Sequence, residues 1–473
     1  MQNLRTFINE QDKNILRLSE PINLEYDITA LQEVLDKQNR YPIILVEKPM
    51  SKNGEISNIP VVCNLTASRN IVSNALGVDD HTNFAEIYAK QTSAPIEPTI
   101  VSQSAAPVQD VIFSKTENNI NLFDLPVLTQ HKLDPGPYLT SAHATTYDPD
   151  SGVDNTAIQR CWVKEPLKMS YYPYPTSHNM RNLKKFWSKN EPCPIAFWLG
   201  HHPKVLLGTQ AKLSYPESHW SACGGLLGEE LRLVPSITHG KKIMVPADAE
   251  IVIEGWVLPN VLEADGPFGE YTGYMGAQVA APVCEISCIT RRKDAIYHDY
   301  GSGHADMLVP DNMVMEGKIY GMIKPIAPSI KKVHVPVSGR RFHAYLQLTK
   351  PKIGETRDAL MSALSYRRTK AIIAVDDDID IFSDNEMMFA LATRVQWKRD
   401  AIQVSGLQGS LMDPSLARGA KTVEKIGIDA TLAPSEISGT LPPVPPRNTV
   451  ISSSEKNAHK IIAEKFNTNW PKL

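Results

Sequence analysis

Between about residues 110 and 300 the chain offers short β-rich runs and almost no helical period. LTSAHATTYD, AIQRCWVKE, IAFWLG, KVLLGT, AEIVIEGWVL and VAAPVCEISCITRR follow one another between Pro/Gly turns. Several short strands at this spacing predict a barrel- or sandwich-like β domain. The flanks read as mixed α/β. Asp27 is placed to cap a helix carrying Leu31, Val34 and Leu35 on one face, and Tyr41 to Val46 reads as a buried strand. Val61 to Cys63 reads as a second strand, followed by a short helix that Gly77 can end. Residues 90–110, rich in Ser, Pro, Ala and Gln, carry the composition of a linker. A connecting helix is expected over 307–325, closed by Pro325.

The last third returns to α/β. Thr369 to Val375 reads as a strand ending in the acidic run Asp376, Asp377, Asp378 and Asp380. Ser383 with Glu386 forms a capping box for a helix carrying Met387, Met388, Leu391 and Val395. After the Pro-rich LPPVPP, Ser452 with Glu455 opens a final helix. Its stripe of Ala458, Ile461, Ile462 and Phe466 is expected to dock on this domain or on a neighbouring subunit.

Bulk properties exclude several function classes. At 473 residues, 42% hydrophobic and 21% charged, the chain has ordinary globular usage and room for two to four domains. Lys plus Arg is 49 against 52 Asp plus Glu, so the basic field of a nucleic-acid binder is missing. No run of 18 apolar residues suggests a membrane span, and the first residues lack the apolar core of a secretory signal. Six thinly spread cysteines without a CxxC pair read as reduced thiols in a cytoplasmic protein. The phosphate-loop, HExxH and GxSxG signatures are absent, and Asp306 breaks the dinucleotide fingerprint begun by Gly301 and Gly303.

The densest chemistry lies in Asp265-Gly-Pro-Phe-Gly-Glu270. Two glycines and a proline favour a loop, which can aim both carboxylates into one cleft. The functional reading is a pair in which one acid exchanges a proton with a substrate; the bland reading is a solvated turn between strands. Arg160, closing Asn155-Thr-Ala-Ile-Gln-Arg160, reads either as a structural ion pair or as a guanidinium gripping a carboxylate in two places. His178 and Glu229 are unremarkable singly. Together with Asn155 they would make an oxygen-rich mixed set that suits Mn²⁺ or Mg²⁺, if the fold gathers them. The acidic run 376–380 and His201–His202 read as structural. His304, in a Gly-flanked loop, is an unexplained histidine able to face a substrate.

Four collinear stretches, spanning about residues 60–400, give these residues a common setting: PVVCNLTASRNIVSNALGV, DLPVLTQHKLDPGPYLTSAHATTYDPDSGVDNTAIQRCWVK, LEADGPFGEYTGYMG and VDDDIDIFSDNEMMFALATRVQWKRD. Together they resemble the UbiD family of reversible decarboxylases that use prenylated FMN. The resemblance implies an α+β fold with an N-terminal α/β domain (1–110), a split-barrel-like flavin domain (111–305), a connecting helix (306–330) and a C-terminal α/β oligomerisation domain (331–473). It implies that Arg160 and Glu270 are the catalytic arginine and second acid. Asp265 stands where the family commonly has a glutamate, with Glu263 as the alternative first acid. It assigns Asn155, His178 and Glu229 to a divalent metal, Mn²⁺ or Mg²⁺, bridging to the flavin phosphate, with K⁺ nearby. Ala157, Ile158, Gln159 and Arg160 then line the cofactor.

The expected reaction releases CO₂ from an aromatic, heteroaromatic or α,β-unsaturated carboxylic acid, with Glu270 as proton donor. A flavin prenyltransferase is the implied cofactor supplier, and a homodimer or homohexamer the implied assembly. Two alternatives are a flavin-holding paralogue or subunit of a larger carboxylase without turnover of its own, and a metal-dependent phosphoesterase built on Asn155, His178, Glu229 and the acidic run.

Overall fold

Six antiparallel strands close into a barrel at the centre of the computed structural model, which describes residues 2–117, 119–417, 419–432 and 452–465. In ring order they are Lys168–Ser170, Asp154–Glu165, Tyr138–Tyr147, Cys193–Leu199, Ile251–Asp265 and Val279–Arg291. The three-residue strand Lys168–Ser170 pairs with both Asp154–Glu165 and Val279–Arg291, which completes the ring. Val111–Ser114 adds a further strand on Val279–Arg291. The β domain read from the sequence is therefore a barrel, and closure leaves few open edges.

The barrel core shows why its strands read as apolar runs. In Cys193–Leu199 the alternate residues Cys193, Ile195, Phe197 and Leu199 enter one core, while Ala196 and Trp198 enter a second. A strand buried on both faces loses its polar alternation. All six cysteines are buried and free. Burial pushes the Cys161, Cys193 and Cys284 thiols up, so they behave as small core hydrophobes.

The middle region holds more helix than its sequence pattern suggested. KVLLGT, expected as a strand, lies mostly in the helix Pro203–Gly208, where Pro203 occupies the first turn and the His202 ring caps the Lys204 N–H. His219–Leu227 is a helix despite Gly224 and Gly225. Those glycines serve packing: a Cβ on Gly224 would sit 2.3 Å from the Ile96 carbonyl oxygen. His178–Trp187 is a third helix, capped by Ser177.

On the N-terminal side, a four-stranded mixed sheet runs Ile15–Leu18, Ile43–Val46, Val61–Cys63, Tyr297–His298. Its last strand leaves the barrel directly and ties the two together. Asp27 is the first residue of the helix Asp27–Lys37, not its cap; Tyr26, with φ +73°, takes the cap position. Within 90–110, Thr99–Ile100 pairs in parallel with Arg232–Leu233. The expected connecting helix runs Ala305–Ile323 with Pro310 inside it.

A five-stranded sheet follows, in the order Ile330–His334, His343–Leu348, Ala371–Asp376, Val423–Asp429, Ala401–Leu407. Ser383 caps Asp384–Arg394 by accepting from the Glu386 N–H. Arg394 of that helix pairs with Asp378, and Asp376 lies 3.7 Å from it, so the acidic run has a structural partner. Met1–Thr431 forms one compact unit, and Leu432–Leu473 a second that contains the helix Ser452–Lys465. LPPVPP and Phe466 lie outside the described residues.

Candidate active site

Arg160 projects from the strand Asp154–Glu165 opposite an irregularity in the neighbouring strand. Leu139 pairs with Cys161 and Ala142 with Gln159, so Thr140 and Ser141 bulge where one residue would fit. Such bulges re-aim side chains. The Arg160 guanidinium donates from Nε to Asp265 Oδ1 at 2.9 Å, with Nη2 at 2.7 Å from the same oxygen, and from Nη1 to Glu270 Oε1. Its plane is covered by aromatic rings: Cζ lies 4.8 Å from the Tyr172 centroid and 5.2 Å from that of Phe268. Burial would lower the Arg160 pKa, but Asp265 and Glu270 outweigh it and raise it. The cation is therefore permanent and fixed.

The two acids arrive by a kinked strand and a tight hairpin. Ile251–Asp265 loses register against Val279–Arg291 between Val257 and Leu262, where Asn260 takes φ +59°. Asp265 ends the strand fully buried, and its Oδ2 accepts from Ser170 Oγ. Gly266 follows at φ +87°, a region that a side chain rarely adopts. Phe268–Gly269 then pairs with Met275–Gly276, and the Glu270 N–H donates to the Tyr274 carbonyl at 2.9 Å. The segment is a β-hairpin, and both carboxylates converge on one guanidinium.

Glu270 differs from Asp265 in its environment. Burial, only partly offset by Arg160 and Arg341, pushes the Glu270 carboxyl up to about 7. Near neutral pH it therefore exists in both forms and can give or take a proton. Glu263 is elsewhere: it pairs with Lys164 at 2.9 Å and Lys168 at 3.2 Å. The geometry thus places Asp265, despite its shorter side chain, beside Arg160. We predict that Glu263→Gln leaves turnover within about twofold of wild type, because half-exposed ion pairs contribute little. A steady-state assay checks this.

A cavity of about 260 Å³ opens beside these groups, lined by Ile158, Gln159, Arg160, Tyr172, Phe268, Glu270 and Tyr271, among others. Of the expected flavin contacts, Ile158, Gln159 and Arg160 face it, while Ala157 pairs with Ala144 in the strand. The far wall carries a cationic cluster that went unread in the sequence. Asp311 is held by Lys212 Nζ at 2.9 Å, Arg341 Nη1 at 3.0 Å and Arg368. Burial would raise the Asp311 carboxyl, but these three cations hold it well below the usual range. Arg341 is 7% exposed, and its Nε has no hydrogen-bond partner. The arginine doublets at 340–341 and 367–368 were the available signal. Arg160, Arg341, Arg367 and Arg368 line the cavity with Glu270 and Asp311, and Lys212 and Asp265 stand behind them as ion-pair partners. With Glu270 protonated, these five cations face two carboxylates, a net of three positive charges, which suits an anionic ligand.

The expected metal ligands come from three separate elements. Asn155 is buried in Asp154–Glu165, and His178 begins the helix His178–Trp187. Glu229 is exposed just beyond Gly228, which ends the helix His219–Leu227. His219 is buried, its Nδ1 lacks a hydrogen-bond partner, and Asp154 Oδ2 lies 4.0 Å away. Burial first, then the nearby His178 and Lys212, push His219 down to about 3, so it is a neutral imidazole. Among the described residues no cluster of three His, Cys, Asp or Glu could hold a metal. Asn155 brings an amide oxygen, His178 an imidazole and Glu229 a carboxylate, a donor chemistry that suits Mn²⁺ or Mg²⁺. His304 lines a different cavity from Arg160.

Comparison with known proteins fits this arrangement. Three domain models of 3-octaprenyl-4-hydroxybenzoate carboxy-lyase match in order: the N-terminal domain over residues 8–91, the Rift-related domain over 99–305 and the C-terminal domain over 312–430. The chain belongs to the UbiD family. It is 28% identical to the anhydromevalonate phosphate decarboxylase of Methanothermobacter thermautotrophicus over 430 residues, 90% of this chain and 96% of that one. It is 28% identical to the phenolic acid decarboxylase of Sedimentibacter hydroxybenzoicus over 474 residues, 95% and 94% of the two chains. The UbiD-class enzyme HmfF of Pelotomaculum thermopropionicum, solved with FMN, superposes with a TM-score of 0.87 at 32% identity, covering 96% of this chain and 98% of that one. An evolved dimeric form of HmfF was solved with prFMN. This UbiD-family protein is a carboxy-lyase with the family's mixed α+β barrel fold. Among its described residues no helix is long and apolar enough to cross a membrane.

Proposed function

We propose that this UbiD-family chain removes CO₂ from an aromatic, heteroaromatic or α,β-unsaturated carboxylic acid with prenylated FMN as cofactor. The observation that carries the reading is the single Arg160 guanidinium bonded to Asp265 and Glu270 at the wall of a net cationic cavity. When bound, the modified flavin supplies the electron sink that an sp² carbon lacks. The chain's own groups do the rest. Arg160 orients the substrate carboxylate and fixes both acids; Asp265, anchored by Ser170, holds Arg160 in place. Glu270 gives its proton to the carbon that CO₂ leaves.

The cofactor contacts we propose are Ala157, Ile158, Gln159 and Arg160. Mn²⁺ or Mg²⁺, with K⁺ nearby, is proposed with Asn155, His178 and Glu229 as the residues that would hold the divalent ion. A cytoplasmic location, a flavin prenyltransferase as supplier, a homodimer or homohexamer, and domains at 1–110, 111–305, 306–330 and 331–473 belong to the same proposal.

The test is co-expression with a flavin prenyltransferase, followed by CO₂ release from 4-hydroxybenzoate, furan-2-carboxylate and cinnamate. Turnover of at least one acid is expected, and inactivity of flavin-loaded protein on all three overturns the reading. The donor must be protonated, so kcat is expected to be level at low pH and to fall tenfold per pH unit above about 7. A pH profile of kcat rising through that range would contradict the assignment. Removing divalent metal with a chelator is expected to release flavin, read from the absorbance of the filtered protein.

A further inference from the structure

Decarboxylation consumes a proton: R–COO⁻ + H⁺ → R–H + CO₂. The electron pair of the broken C–C bond ends in the new C–H bond, whose proton comes from Glu270. Glu270 is left as a carboxylate and must be reprotonated before the next turnover. In the function proposed above, on which this inference rests, flavin and acid fill the cavity beside Arg160 and exclude water from that side.

Glu270 has a second side. It also lines a separate cavity of about 700 Å³ that shares only Glu270 and Ser302 with the first. Three imidazoles line this second space: His334, whose Nδ1 lies 2.9 Å from Glu316 Oε1, and the pair His131 and His304. His131 and His304 lie with their rings parallel, 1° apart in plane and 6.3 Å between centroids. The His131 ring rests on Gly269, the residue before Glu270: a Cβ at 269 would sit 2.4 Å from His131 Cε1. Only glycine lets an imidazole come so near that backbone. His131 Nδ1 is buried without a hydrogen-bond partner, with Asp134 Oδ2 3.5 Å away. His304 Nδ1 lies 3.1 Å from Asp36 Oδ2, and the Asp36 side chain is 23% exposed. Lys37, Arg340 and Asp384 add further charge to the walls. A space this large and polar holds water. Imidazole is the side chain best suited to take and return a proton near neutrality.

We propose that this second cavity is the proton entrance of the enzyme, in which His304 and His131 pass protons from solvent through water to Glu270. Each imidazole accepts a proton on the solvent side and releases one on the Glu270 side. Neither touches substrate; both are positioning residues that act through Glu270. The arrangement separates the carbon chemistry from proton supply, so the acid is recharged without opening the substrate side.

The test uses flavin-loaded wild type, His131→Gln, His304→Gln and the double variant, with whichever of the three acids above wild type turns over fastest. Expected are a kcat lowered about 10- to 100-fold, a KM within about twofold, a larger solvent deuterium isotope effect on kcat, and recovery of kcat on adding imidazole. A kcat within about twofold of wild type in the double variant overturns the proposal. So does a loss that imidazole does not restore, since misfolded protein is not rescued by a small acid. Wild type inactive on all three acids overturns the decarboxylase reading and this inference with it. Active wild type with indifferent variants overturns the inference alone.

Discussion

Glu270→Gln is expected to lower kcat by about 10²- to 10⁴-fold while the protein still copurifies with flavin. Glutamine keeps the size and can accept from Arg160 Nη1, so the hairpin Phe268–Gly269 with Met275–Gly276 has no reason to rearrange. What it lacks is a transferable proton. The expectation rests on burial, which pushes the Glu270 carboxyl up to about 7. Residual activity in the variant should no longer fall above pH 7, since the titrating donor is gone. Measurement of kcat across pH for both proteins, with flavin absorbance as the loading control, checks both halves. Full activity in Glu270→Gln would move the proton donor elsewhere.

Arg160→Ala is expected to damage both catalysis and folding. Asp265 is fully buried and its charge is compensated by Arg160. Removing the guanidinium strands that carboxylate with Ser170 as its remaining hydrogen-bond donor, a loss of about 3–5 kcal/mol. Arg160→Lys should be milder in stability, because it keeps a positive charge. It cannot reproduce the fork that reaches Asp265 and Glu270 together, so kcat/KM is expected to fall about 10²-fold or more. Denaturant unfolding separates the two effects: a double variant Arg160→Ala with Asp265→Ala should recover part of the stability but none of the turnover. Recovery of turnover would sink the role given to Arg160.

The sequence made the barrel and the Arg160–Glu270 partnership legible for different reasons. Runs such as AEIVIEGWVL are buried on both faces and bounded by turns, so they read as strands without help from distant residues. The DGPFGE segment carries its own turn chemistry, and the resemblance supplied its partner. The short helices at 203–208 and 219–227 were not legible. KVLLG is too short to distinguish strand from helix by period, and the two glycines of 219–227 allow close approach to distant backbone, Gly224 to Ile96 and Gly225 to Gln91 and Ala94. Glu229 illustrates the same limit. Its type suits a metal, but its place just past the helix end at Gly228 is set by the fold, and His219, which no local pattern marks, is buried near His178. The Asp311 cluster joins residues 212, 311, 341 and 368, and only tertiary structure can collect them.

The ring of six strands is fastened by its smallest member. Lys168–Ser170 supplies the last seam of the barrel, and from that seam Ser170 reaches Asp265 while Lys168 reaches Glu263. Zipping this seam and arming the arginine are thus one event. A chain that has folded at all has already set its acids, before any coenzyme arrives. Conversely, fraying of three residues would disarm the enzyme without disturbing the remaining ladders. Amide exchange at Met169 and loss of function should then rise together under mild denaturant, ahead of global unfolding.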